Sequence, residues 1–522
     1  MKNTILLFLL SFLILKPESQ AQDIRVYKAP KFQADWTKPG IHPDRIVLNP
    51  GPDPTSQMAV TWRTSPEVTV AYAEIAPATA APKFWRNGKT LQAKTTILDG
   101  TEIANAGLIS ANHSVKFAGL EPNTIYGYRV GDGEHWSEWF QFKTASNEKS
   151  APFSFLYVGD AQNYVLELWS RLIREGYRQA PNADFIIHAG DLINTAHREQ
   201  DWHEWFTAGG FIHSMLPTIA VPGNHEYNYL SEAKRDEGRQ LSAQWKPQFT
   251  LPENGPEGLE ETAYFIDYPD VKMIFLDSNR DHEKQSEWLR KILAENDKKW
   301  TIVSYHHPLF SASAGRDNDE LRAIWKPIFD EYKVDLALQG HDHSYARGRA
   351  NPGENDNVMD GMNMRDQTGT VYVVSVSGGK MYGLNPNGWE GTEAVRDRAA
   401  ENTQLVQVIS IEDNTLKFES FTAIGELYDA FILEKQSNGI NKFTELKQDL
   451  GPEYRFNNTI PYEDPLPEEL KRKIEGDFPG FEVTRVNYRE NKGVIIIAIR
   501  IEKGEEEKNF IIDQKGNILS EN

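Results

Sequence analysis

The sequence predicts a chain of three folded parts: an all-β sandwich, a layered α/β domain whose second half is more antiparallel, and a small α+β domain at the C-terminus. Three observations carry this reading. Residues 45–145 are short alternating runs separated by Gly, Pro and Asn turns; from 152 to 435 strand patterns alternate with helical ones; and residues 464–522 offer one helix followed by strand-like runs. At 522 residues the chain exceeds what a single hydrophobic core usually organises, in agreement with several domains.

Taken in order, Lys2, the apolar run 5–15 and the small-residue site Ser19-Gln20-Ala21 read as a signal peptide over 1–21, too short to span a bilayer. No later stretch has the length and purity of a transmembrane helix, so the mature protein is expected to be secreted or periplasmic. A linker rich in Pro, Lys and Asp occupies 22–44. The runs MAVTWRT, TVAYAEI, HSVKFAG and IYGYRVG then suit a β-sandwich in which Tyr126 and Tyr128 are packing residues. Helical patterns are expected over 165–179, 202–215, 284–296 and 319–332, after which VYVVSVSGG, LVQVISI and LKFESFT follow one another without long helices. A polar, turn-rich connector over 436–463 leads to LPEELKRKIEGDF and the runs FEVTRVNY, GVIIIAIRI and KNFIIDQKGNIL.

Charge and composition exclude several functions. A formal net charge of −20 repels a polyanion, so nucleic-acid binding by the bulk surface is not expected, and a small anionic substrate needs local positive charge such as bound metal ions supply. The chain has no cysteine, which rules out disulfides, thiolate zinc sites and a lipid-anchored Cys. Any metal must sit among His, Asp, Asn and Gln.

Five short segments offer those residues: Asp160-Ala161-Gln162, Gly190-Asp191, Gly223-Asn224-His225-Glu226, His306-His307 and Gly340-His341-Asp342-His343. Each directly follows an apolar run (FSFLYVGD, DFIIHAGD, PTIAVPGN, WTIVSYHH and VDLALQG), and α/β sheets deliver their strand C-termini to one crevice. Two divalent or trivalent ions held there can clamp a phosphoryl group and activate water. Asp191 is the candidate bridging carboxylate; Asp160 and His343 complete one site, and Asn224, His306 and His341 the other. His188, His197, His203, His213 and His282 lie outside the segments and are read as structural.

The order GD, GD, GNHE, VxxH and GHxH resembles the calcineurin-like metallophosphoesterases, and the purple acid phosphatase branch in particular, across about residues 45–433. MAVTW, GLEPNTIYGYRVG and FQFKTAS resemble that branch's fibronectin type III-like N-terminal domain. Gln285-Ser286-Glu287-Trp288-Leu289 fits its QxxWL helix start, and Tyr345 and Arg347 fit its HxYxR extension. The C-terminal helix and strands resemble PepSY-like modules of secreted bacterial proteins. The resemblance implies an α/β/β/α metallophosphoesterase sandwich, phosphoester substrates and a substrate-contacting role for His225, which assists the departing alcohol while a metal-activated hydroxide attacks in line. Asn224, His225 and His307 are the candidate substrate contacts, His307 facing either the substrate or the core.

Two departures stand out. Where purple enzymes carry an iron-binding Tyr three residues after the bridging Asp, this chain has Asn194, which removes the colour-giving phenolate and the basis for preferring iron(III). Gln162 replaces the His of a DxH motif and either ligates a cation through its amide oxygen or hydrogen-bonds a ligand. The donor set suits Fe, Mn, Zn or Co. The leading expectation is an exported phosphomonoesterase. A phosphodiesterase or nucleotide pyrophosphatase would use the same core with different loops (163–164, 312–318 and 351–368), and a binding protein would retain the scaffold without turnover. Oligomeric state is not encoded in any of these features.

Overall fold

The computed structural model describes residues 37–350, 367–385, 388–446, 454–455, 466–491, 494–504, 506–513 and 515–521. The expected signal peptide, the linker up to residue 36, most of the connector and the loop 351–366 lie outside the described residues.

The N-terminal domain packs two antiparallel four-stranded sheets face to face. One has the order Asp44–Pro50, Gln57–Thr64, Ile109–Ala118, Lys94–Asp99; the other runs Lys89–Gln92, Tyr72–Pro77, Ile125–Gly131, Phe140–Lys143. Alternate residues of each strand face inward, so Val60, Trp62, Val115, Phe117, Tyr126, Tyr128 and Phe142 form the core. Both tyrosines are packing residues with satisfied hydroxyls. Tyr126 accepts the Glu121 N–H at 2.9 Å, and Tyr128 donates to the Ser214 carbonyl at 2.6 Å.

That second bond already crosses to the next domain, and a buried ion cluster joins it. Arg45 and Arg63 both donate to Glu199 Oε1, at 2.5 and 2.6 Å. All three side chains are under a tenth exposed, so removing one would strand charge in a low-dielectric interface.

The second domain is the expected α/β/β/α sandwich. One eight-stranded sheet runs Thr218–Ala220, Phe185–His188, Phe153–Val158, Leu405–Glu412, Thr415–Thr422, Leu427–Lys435, Asn441–Glu445, Gln367–Thr368. The other runs Tyr264–Tyr268, Val271–Phe275, Trp300–Ser304, Leu336–Gln339, Val371–Val374, Tyr345–Ala350, Ala394–Ala400, Tyr454–Arg455. Strands buried on both faces read as continuous apolar runs, and the period of two sorts their side chains. Trp300, Ile302, Leu336 and Leu338 enter the core between the sheets, while Val303 and Ala337 face the outer helices His282–Ala294 and Asp319–Glu331 through Leu289, Trp325 and Phe329. On the opposite side Ser170–Gln179 and Glu199–Gly209 cover the first sheet with Leu172, Ile173, Trp202 and Trp205.

Three differences from the sequence expectation have simple causes. The first helix begins with a π-turn over Val165–Trp169 before turning α-helical. The helix expected over 202–215 is two, Glu199–Gly209 and Phe211–Met215, because Gly210 adopts φ +52° and breaks the hydrogen-bond ladder. The stretch read as connector from 436 contains Asn441–Glu445, a strand paired antiparallel with both Leu427–Lys435 and Gln367–Thr368 that a polar, Gly-containing sequence conceals.

The C-terminal unit is a helix, Glu468–Asp477, with a four-stranded antiparallel meander, Glu482–Asn491, Val494–Lys503, Glu506–Asp513 and Ile518–Glu521. Ile497, Ile499 and Ile501 share one face of their strand and pack with Leu470, Ile474, Phe510 and Ile512.

Candidate metal centre and active site

All five ligand-bearing segments start where a parallel strand ends. Asp160 follows Phe153–Val158, Asp191 follows Phe185–His188 and Asn224 follows Thr218–Ala220, all in the first sheet; His306 follows Trp300–Ser304 and His341 and His343 follow Leu336–Gln339 in the second. The crevice is therefore built from both sheets of the sandwich, three segments from one and two from the other.

The backbone is strained where the candidate ligands sit. Asp160, Asp191, His341 and His343 adopt φ of +48°, +51°, +76° and +46°. Non-glycine residues pay on the order of 1–3 kcal/mol each for this region, and such strain gathers at functional sites. The motif glycines make room for it: a Cβ on Gly223 would lie 2.2 Å from Asp191 Oδ1, and one on Gly340 would lie 2.5 Å from Asp160 Oδ2.

The ligand atoms form two groups joined by one carboxylate. Asp160, Asp191 and His343 lie within 4.8 Å of one another, as do His306, His307 and His341. His306 Nε2 links them, 3.3 Å from Asp191 Oδ2, 3.2 Å from Asn224 Oδ1 and 3.2 Å from His341 Nδ1. Tautomers are set from outside the cluster, since His306 Nδ1 donates to the Ala189 carbonyl at 2.9 Å and His343 Nδ1 to the Lys380 carbonyl at 3.0 Å. Each ring thereby turns Nε2 inward.

Electrostatics favour cations here. Burial pulls the His306 imidazole down, but Asp191 and Asp160 raise it to about 9. Burial and the repulsion of Asp191 hold Asp160 well above the usual carboxylate range, whereas His306 and His225 keep Asp191 below it despite burial. Burial keeps His341 far below its ordinary value and pulls His343 and His307 down to about 3, so these three are neutral imidazoles, as ligands must be. Asp160 Oδ1 is a buried acceptor with no hydrogen-bond partner, and a set of buried carboxylate and imidazole acceptors converging on one crevice fits a pair of cations.

Gln162 Nε2 donates to Asp191 Oδ2 at 2.7 Å and lies 2.9 Å from His343 Nε2. Of its two expected roles this orientation is the hydrogen-bonding one; a half-turn of the amide brings the oxygen inward instead. His225, half-buried, donates its N–H to Asp191 Oδ1 at 2.9 Å and its Nδ1–H to the Asn194 carbonyl at 2.6 Å, which leaves Nε2 for substrate. His307 pairs through Nδ1 with Ser278 Oγ at 2.8 Å and stands 4.4 Å from the His341 ring.

The structure therefore brings Asp160, Gln162, Asp191, Asn224, His306, His341 and His343 into one crevice with His225 and His307 beside them. His188, His197, His203, His213 and His282 belong to neither ligand group. Sequence reasoning missed the residues that hold the ligand loops. Glu226 accepts N–H groups from Gly223 (2.6 Å), Leu192 (2.8 Å), Asp191 (2.9 Å) and Ile193 (3.3 Å), and Asp342 accepts from Ala312 (2.5 Å) and Ser313 (3.3 Å). Both lie inside the ligand motifs, as the last residue of GNHE and the third of GHDH. An acidic residue amid ligands but not assigned to the metals was the available signal.

A double-sheet sandwich with two ligand groups adjoining at Asp191 and His306 at its strand C-termini defines the metallophosphoesterase class. Comparison narrows this. Residues 153–345 match the calcineurin-like phosphoesterase family and residues 43–144 the purple acid phosphatase N-terminal domain. The chain is 25% identical over 277 residues to purple acid phosphatase 5 of Arabidopsis thaliana, covering 51% of this chain and 62% of that one. With Fe(3+)-Zn(2+) purple acid phosphatase 12 of the same plant it shares 24% over 387 residues, 68% of this chain and 79% of the relative. The fold matches a purple acid phosphatase from yellow lupin (Lupinus luteus) seeds with TM-score 0.62 at 20% identity, over 76% of this chain and 75% of that one. The chain thus carries a calcineurin-like phosphoesterase domain behind a purple acid phosphatase N-terminal domain.

Proposed function

We propose that this protein is an exported, metal-dependent phosphatase that hydrolyses phosphomonoesters by in-line attack of water at phosphorus. The observation that carries the reading is the meeting of both ligand groups at Asp191, between His306 Nε2 at 3.3 Å and the Gln162 amide at 2.7 Å. Asp160 and His343 would hold one ion, joined by Gln162 if its amide turns its oxygen inward; Asn224, His306 and His341 would hold the other, and Asp191 both. Bound there, the ions polarise the phosphoryl oxygens and bring the pKa of water towards neutrality. Iron, manganese, zinc or cobalt suits the oxygen and nitrogen donors.

The chain's own residues do the rest. Asn224 is positioned to orient a phosphoryl oxygen. His225, anchored through Nδ1 on the Asn194 carbonyl, turns Nε2 to the substrate, where its imidazolium form, which burial disfavours and Asp191 favours, would give its Nε2 proton to the departing alkoxide. Export is supported by the charged start, apolar run and small-residue site at the N-terminus. The C-terminal helix and meander have the element order of a PepSY-like module.

The test compares purified, chelated and metal-reloaded protein on p-nitrophenyl phosphate and bis(p-nitrophenyl) phosphate. Metal-dependent turnover with the monoester preferred supports the proposal. Preference for the diester would make the protein a phosphodiesterase, and loaded protein inert on both would make it a binding protein.

A further inference from the structure

The phosphoester crevice borders a second feature that the hydrolysis of a simple monoester does not use. Tyr382 packs against His343, ring centres 4.8 Å apart, and donates its N–H to the His343 carbonyl at 2.9 Å. Two cations share its ring: the Arg316 guanidinium carbon lies 4.8 Å from the ring centre and the Lys380 ammonium 5.4 Å. Both are tied to the ligand loop. Arg316 donates to the His341 carbonyl at 2.9 Å, and the Lys380 carbonyl accepts from His343 Nδ1 at 3.0 Å.

Like charges held on one ring repel unless an anion lies near both, and the compensation present is slight. Arg316 stands 3.8 Å from Asp342, whose other oxygen is occupied by the Ala312 and Ser313 amides. Among the described residues Lys380 makes no ion pair. Both cations are reachable: Arg316 is 30% exposed and Lys380 half-buried. In a chain of net charge −20, an under-compensated cation pair at the mouth of a phosphoester site is a local reversal of sign.

We propose that Lys380 and Arg316, set against Tyr382, form an anion subsite for a second phosphate on the alcohol portion of the substrate, so that the preferred substrates are small bisphosphorylated esters. The inference rests on the phosphatase reading above. While one phosphoryl group is cleaved to orthophosphate, the other is held by the guanidinium fork and the ammonium, which a neutral alcohol cannot engage.

The experiment measures kcat/KM of the metal-loaded full chain for fructose 1,6-bisphosphate and fructose 6-phosphate, with p-nitrophenyl phosphate as the common reference. Wild type should favour the bisphosphate at least tenfold. In Lys380→Met, which keeps the stem and the backbone carbonyl, that ratio should fall about tenfold, equivalent to about 1.4 kcal/mol. Lys380→Arg should restore most of it. A wild-type ratio near one, or a ratio unchanged by Lys380→Met, overturns the subsite while leaving the phosphatase reading intact. Loaded wild type inert on all three substrates overturns both. If Lys380→Met does not fold, the wild-type ratio and its sensitivity to added salt decide: a preference that survives 0.5 M salt undiminished is not made by two half-exposed cations, because at about that ionic strength the screening length is only a few ångströms.

Discussion

The Glu226 carboxylate accepts the backbone N–H of Asp191 at 2.9 Å, and the same side chain accepts from Gly223 at 2.6 Å. One buried acid thus fixes the two loops that carry the bridging candidate and Asn224. Burial and the Asp191 charge push its carboxyl up to about 8, so a bound cation that neutralises Asp191 would also favour the Glu226 anion. In Glu226→Gln an amide NH2 would face N–H donors. Metal affinity is expected to fall ten- to a hundredfold, the usual cost of losing a group that orients a ligand. Metal titration with a competing chelator measures this; unchanged affinity would show the loops hold themselves.

Gly223 is the tightest point of the same loop. Its missing side chain leaves room for Asp191, whose Oδ1 and backbone N would be 2.2 and 2.5 Å from an added Cβ. Gly223→Ala must therefore displace the bridging candidate. We expect metal content below half of wild type and at least a hundredfold loss of phosphatase turnover, with the N-terminal domain unaffected. Full metal occupancy in this variant would mean that the loop tolerates the shift.

Much of this site was legible because its chemistry is local in sequence. An apolar run ending in Gly-Asp, Gly-Asn or His places a ligand at a strand terminus whatever sheet the strand joins, and this is why the segments around Asp160, Asp191, Asn224, His306 and His341 could be identified before their strands were assigned to two sheets. Pairing partners were less legible. Leu405–Glu412 joins Phe153–Val158 across roughly 250 residues, and a contact of that separation leaves no periodic trace. The supporting acids were hidden for a different reason: Glu226 and Asp342 act through backbone N–H groups, which every residue carries, so no partner type marks them. The Asn441–Glu445 strand is hidden because Phe443 is the one apolar residue in it, too little for an alternating pattern to show.

His225 separates binding from chemistry. Its side chain donates to the Asn194 carbonyl at 2.6 Å, and its contact with Asp191 is made by the backbone. His225→Ala keeps that backbone contact, so metal content should be unchanged. On an alkyl phosphate such as glycerol phosphate kcat should fall, since removal of a general acid typically costs 10²- to 10⁴-fold, and less on p-nitrophenyl phosphate. The loss should be smaller for substrates with more acidic leaving alcohols, which need less protonation. An equal loss across leaving groups would assign His225 to phosphate binding instead.

Acid should weaken the fold through histidines remote from the metals. His213 stacks on Trp205 with ring centres 4.0 Å apart, and burial pulls its imidazole down to about 4 from an ordinary 6.5. The unfolded chain takes up a proton at this position below about 6.5, while the native state resists until about 4. Between those values the unfolded state binds more protons, so stability falls as pH falls, by up to about 1.4 kcal/mol per pH unit for this group. His188, 6.2 Å away and also held low by burial, adds to the same slope. Replacing His213 with Met removes the group. Its Tm at pH 7.5 should be lower because the stack is lost, yet the further drop between pH 6.5 and 4.5 should be smaller than in wild type. Comparing both proteins after chelation isolates this titration from metal release, and parallel Tm curves would exclude His213 as a source of acid sensitivity.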